Sequence, residues 1–143
     1  MAKTESFSAE ERAAMKERAK ELRDAEKLKG KADAGEKDLL SKIADMPEPD
    51  RGIATRIHEL VKENAPDLLP KTWYGQPAWA NRDDKVVLFF QSAAKFGTRY
   101  ASIGFQDAAN IDDGSLWATS YGVTKLTAAD EKTLAALIRK AVS

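Results

Sequence analysis

The chain predicts an α+β fold: a two-layer sandwich with an antiparallel sheet of four or more strands, helices on one of its faces, and a polar N-terminal helical extension. Three observations predict it. Capping spacings and helical apolar stripes occupy the chain up to about residue 64, strand patterns separated by turn signals follow from Trp73 to Val123, and a helical stripe closes the chain. At 143 residues, with 43% apolar and 32% charged side chains, the chain can bury one real core and still carry an appendage.

Composition excludes several function classes. Lys+Arg and Asp+Glu both number 23, so the net charge is zero. A protein that tracks phosphate backbones would show a basic excess, so no nucleic-acid partner is expected. The chain has no cysteine, which removes disulfides, thiolate metal sites and cysteine nucleophiles and fits a reducing compartment. MAKTESFSAEER has no apolar signal-like core, and no apolar run approaches the ~18 residues of a membrane span. The expected location is the cytoplasm, with no membrane partner.

Residues 8–29 read as a polar helix opened by the Ser8/Glu11 capping spacing. Its larger apolar side chains are only Met15, Leu22 and Leu28, and LKGKADA at 28–34 reads as a linker, so 1–33 is expected to be an extension of a domain at 34–143. Asp33 and Glu36 repeat the capping spacing before a short helix with Leu39, Leu40 and Ile43 as its stripe, ended by Met46-Pro47-Glu48-Pro49. Asp50 is placed to cap a second helix, 51–64, with the stripe Ile53, Ile57, Leu60 and Val61.

Trp73 to Ala80 reads as one extended segment, bent or at an edge because of Gly75 and Pro77. Asn81 to Asp84 is a turn, and Val86 to Phe90, apolar on both alternations, is expected as a central strand with both faces substantially covered. A third strand is expected at 98–106, with Ala101, Ile103 and Phe105 on one side and Tyr100, Ser102 and Gly104 on the other. After a polar loop a fourth strand is expected at 116–123, then a helix capped by Thr127 and Asp130 that buries Leu134, Leu137, Ile138 and Ala141.

Few residues carry a chemical signal. His58 is the sole histidine and lies in no metal-binding or acid–base spacing, so it reads as structural. Asn110 to Gly114 superficially resembles a calcium loop, but Tyr121 stands where the bidentate glutamate belongs, leaving Asp112 and Asp113 as a weak cation site at most. The aromatic group is the better candidate. Trp73, Tyr74, Gln76 and Trp79, joined by Lys95, Arg99 and Tyr100, combine rings with cations as a ligand or partner site does.

The segment Pro66 to Trp79, PDLLPKTWYGQPAW, resembles the signature of the YdhG-like family of small bacterial domains, in which an amphipathic helix leads into Tyr-Gly-x-Pro, then strands and a final helix. The resemblance covers about 36–142, with Gln76 where the family commonly has methionine. It implies a frataxin-like fold and, from some members, an iron-chaperone role. Helix 51–64 carries Arg51, Arg56 and Lys62 among its carboxylates, so no metal ligand is carried over. The expected function is a non-catalytic binding module for an unknown protein or small molecule, without a cofactor. The alternatives are a frataxin-like iron carrier and a small enzyme whose carboxylates converge in space.

Overall fold

The computed structural model describes residues 8–143, which form a five-stranded antiparallel sheet and four helices. The chain divides into two compact units, 1–31 and 32–143. Helix α1 is Ala9–Ala44, opened by the reciprocal Ser8/Glu11 capping bonds at 3.0 and 3.1 Å. The stretch 28–34, expected as a linker, is therefore helical, and Asp33 and Glu36 are helix-interior residues that cap nothing. Alanines and lysines around Gly30 favour helix strongly enough to offset the ~1 kcal/mol that one glycine costs.

Helix α2, Asp50–Asn64, follows the proline break at the residues its stripe predicts, burying Ile53, Ile57, Leu60 and Val61. Asp50 does not cap it. The cap is supplied by Glu48, whose Oε1 accepts from the Gly52 N–H at 2.8 Å. The buried Asp50 carboxylate turns instead to the connection after the third strand and accepts from Ser92 Oγ at 2.6 Å and Ala94 N at 3.0 Å.

The segment expected as a single bent strand is a hairpin. Strands β1 (Leu69–Trp73) and β2 (Gln76–Ala80) flank the two-residue turn Tyr74-Gly75, with Trp73 opposite Gln76. Both turn residues have positive φ, 51° and 75°, the signature of the type I′ turn whose twist matches paired strands. The proline in β1 hides this strand in the sequence pattern, and its pairing with β2 makes the fifth strand of the sheet. Pro77 sits opposite Thr72, next to the hydrogen-bonded pair that closes the turn, so its missing N–H falls where the β1–β2 ladder needs none.

Strand β3 (Val86–Gln91) is the middle strand, then come the short helix α3 (Ala93–Phe96), β4 (Ala101–Phe105), β5 (Ser120–Val123) and α4 (Ala128–Ala141). Residues 116–119 lie outside β5, shorter than expected, and Leu116 is 89% exposed. The α4 capping box of Thr127 and Asp130 forms as its spacing predicts.

Side chains Trp79, Leu88, Phe90, Ala101, Ile103 and Phe105 share one sheet face and join Leu39, Ile43, Ile57, Val61, Leu134 and Ile138 in a single core. A bulge opposite Trp79 and Ala80 leaves Val87 as the extra residue, which lets the adjacent Val87 and Leu88 both enter that core. Among the described residues no helix is long and apolar enough to cross a membrane.

Candidate functional site

The second sheet face contributes no residue to the core cluster apart from its margins, and strand alternation assigns its side chains. Trp73, Gln76, Phe89, Gln91, Ser102, Gly104 and Gly122 point to this side. The Phe89 ring lies so close over Gly104 that any Cβ there would overlap it, and Gly122 gives the Tyr100 ring the same room. Phe89 meets Trp73 at 5.2 Å between centroids, and Trp73 meets Tyr74 edge-on at 4.9 Å. On β3, expected to be substantially covered on both faces, Phe89 on this side is half-buried beneath the Trp73 ring.

One end of the sheet gathers most of the predicted residues. The β1–β2 turn, the end of β3, α3 and the start of β4 meet there. Lys95 Nζ sits over the turn so tightly that a Cβ on Gly75 would be 2.7 Å from it. Lys95 also lies 5.7 Å from the Phe96 ring centroid, and the Arg99 guanidinium lies 5.1 Å from that of Tyr100. Ser92 holds this connection in place: its hydroxyl accepts from Lys95 N at 3.3 Å while donating to Asp50.

A cleft of about 390 Å³ opens between the turn and the C-terminal end of α1, lined by Lys42, Asp45, Met46, Gly75 and Lys95 among others. A second, of about 300 Å³, is lined by Glu48, Asp50, Arg99 and Tyr100, and Ala94 borders both. The Gln76 Oε1 atom is buried and has no hydrogen-bond partner among the described residues. Trp73, Tyr74, Gln76, Lys95, Arg99 and Tyr100 thus occupy the open face and this corner.

Trp79 does not join them. It is on the opposite face, 0% exposed, and its indole N–H donates to His58 Nδ1 at 3.1 Å. Because an indole N–H can only donate, Nδ1 must accept, and the ring proton sits on Nε2. That nitrogen faces Glu36 Oε2 at 2.6 Å, which Lys62 Nζ also approaches at 3.0 Å. The two hydrogen bonds hold the Glu36 carboxyl below its usual range, the Lys62 bond first and the His58 bond second.

A carboxylate beside the one histidine is the feature a convergent acid–base site would need. Here both ring nitrogens are already engaged and His58 is only 4% exposed, so the arrangement ties α1, α2 and β2 together and offers no face to a substrate. Sequence reasoning missed it because residues 36, 58 and 79 share no local spacing.

The cation candidates are placed elsewhere. Asp112 and Asp113 are exposed in the loop between β4 and β5. Among the described residues no group of three or more His, Cys, Asp or Glu side chains could hold a metal ion. A cavity of about 450 Å³, lined by Asn64, Asp67, Arg82 and Asn110 among others, opens between the end of α2, the β2–β3 turn and the end of α4. None of the predicted residues lines it.

Compared with known proteins, the chain matches no family model, no curated protein and no solved structure.

Proposed function

We propose that the chain is a small non-catalytic binding module whose contact site is the sheet corner built by the β1–β2 turn and the α3 connection. The observation that carries this reading is Tyr74. It takes the first central position of the turn at φ 51°, a conformation that suits Asn, Asp or Gly, yet its ring is 81% exposed. Holding a bulky side chain there costs of order 1 kcal/mol, and among the described residues the one ring it meets is Trp73, edge-on. Strain of this kind persists where a side chain is wanted at the surface. Trp73, Gln76 and Lys95 beside it, with Arg99 and Tyr100, supply the rings, amide and cations that orient a bound group.

The resemblance of residues 66–79 to the YdhG-like signature supports the same fold expectation and leaves the ligand open. The iron-carrier role found among frataxin-like members has no comparable observation behind it.

The test is an amide NMR titration of the full chain with a panel of soluble planar compounds, neutral and charged. The expected shifts concentrate at residues 73–76 and 94–100. They vanish in Tyr74→Asn, a variant that suits the turn and keeps the fold. Shifts concentrated in the 450 Å³ cavity at the other end, or undiminished in Tyr74→Asn, would overturn the reading.

A further inference from the structure

Charge separates the two clefts at this corner. The cleft beside Arg99 also carries Glu48 and Asp50. Both carboxylates are engaged, Glu48 with Gly52 N and Arg51 and Asp50 with Ser92 and Ala94, but they leave that cleft with an acidic lining. The cleft beside the turn has the opposite balance: Lys42 and Lys95 against Asp45 alone.

Lys95 is held differently from several cations elsewhere on the molecule. Arg51, Arg56, Lys62 and Lys71 each reach a carboxylate, at 3.4, 3.1, 3.0 and 3.1 Å. Lys95 has no carboxylate partner among the described residues, and lies between the Phe96 ring and the bare backbone of Gly75. Unpaired lysines are common on any surface. This one is seated by a turn whose glycine leaves room for its ammonium group, at the wall of a cleft of ligand size.

We propose that this cleft binds a small organic anion, a planar ring bearing a carboxylate or phosphate, with the charge between Lys42 and Lys95 and the ring against Met46 and Pro47. The inference rests on the binding reading above and names the ligand class of that site. An ammonium already parted from carboxylates can form charge-assisted hydrogen bonds to the anion without first breaking an ion pair. Met46 and Pro47 give the cleft an apolar wall against which a ring is desolvated.

Phenyl phosphate, benzoate, benzyl alcohol, benzylamine and inorganic phosphate serve as probes, titrated at low and high salt and followed by amide shifts. The two aryl anions are expected to bind at least about fivefold more tightly than benzyl alcohol, with benzylamine the weakest. Inorganic phosphate should bind more weakly than phenyl phosphate. The anion preference should shrink with added salt and fall below about twofold in Lys42→Met/Lys95→Met, whose circular dichroism should match the wild type. Lys132→Met on α4 should leave it unchanged.

If benzyl alcohol moves the same amides as strongly as phenyl phosphate, or the double variant keeps the preference, the anion assignment is wrong while the binding corner stands. If no probe, charged or neutral, moves residues 73–76 and 94–100, the binding reading itself falls. Shifts from inorganic phosphate equal to those from phenyl phosphate would sink the planar-ring requirement.

Discussion

His58 has a separate partner for each ring nitrogen, and each partner can play only one role. Replacing it with Phe leaves the buried Trp79 N–H without an acceptor and removes one hydrogen bond from Glu36. An unsatisfied buried donor costs about 1–3 kcal/mol, so His58→Phe should lower stability by roughly 2–4 kcal/mol in urea unfolding. A loss under ~0.5 kcal/mol would mean that the triad is incidental. Glu36 adds a pH dependence to stability. Its folded pKa lies below the ordinary 4.5, through hydrogen bonds to Lys62 and then His58. The folded state therefore binds fewer protons than the unfolded chain in that window. The contribution is complete above about pH 4.5 and fades as pH falls through the folded value. Glu36→Gln should accordingly show a shallower loss of melting temperature between about pH 5 and pH 3 than the wild type; parallel curves would remove Glu36 from the account of acid stability.

Two glycines of α1 show how an element answers to its surroundings. Both cost the helix about 1 kcal/mol relative to alanine by propensity alone. At Gly30 an added Cβ meets nothing within 4 Å, whereas at Gly35 it would overlap the backbone carbonyl of Pro70 on β1. Gly30→Ala should therefore raise helical content or stability by up to about 1 kcal/mol. Gly35→Ala should lower the melting temperature, because a backbone carbonyl cannot step aside as a side chain can. Equal responses from the two variants in thermal unfolding would show that α1 does not pack on β1 as closely as described. The β1–β2 hairpin follows the same logic in reverse. Its turn, Tyr74-Gly75, departs from the usual Asn-Gly, and the strand before it contains Pro70. Neither sequence sign pointed to a hairpin, which formed because Leu69, Thr72 and Trp73 gain cross-strand partners in β2.

At the scale of the molecule, charge is balanced locally as well as in total. Arg56 bridges Glu59 at 3.1 Å, Glu63 at 3.5 Å and Glu131 at 2.9 Å, so the carboxylates of α2 that could attract a cation are already shared by a guanidinium. The three carboxylates raise the Arg56 pKa, the Glu131 hydrogen bond most, and keep it charged. A ferrous ion needs several oxygen or imidazole ligands converging on one point. Binding tighter than about 100 μM, roughly 5.5 kcal/mol, is not expected. Anaerobic calorimetry with ferrous iron checks this, alongside an Asp112→Asn/Asp113→Asn variant. Low-micromolar binding by the wild type would restore the iron-carrier alternative.

What the sequence determined by itself is local. Helix α2, the α4 capping box, the Ser8/Glu11 box and the middle strand follow from periodicity and spacing within a few residues, because capping and amphipathicity are set between near neighbours. The aromatic and cationic residues of the corner were also legible as residue types. Tertiary structure decided where each one stands. It sent Trp79 to the core, because the side chains of a strand alternate between faces and this position falls on the face toward α1 and α2, where His58 accepts its indole N–H. It turned Asp50 from a presumptive cap into the support of the α3 connection, 42 residues away in sequence. It also placed Lys42 and Lys95 on the same cleft, although no sequence spacing relates them. Charge balance and face assignment are properties of groups brought together by folding, and sequence distance carries no information about them.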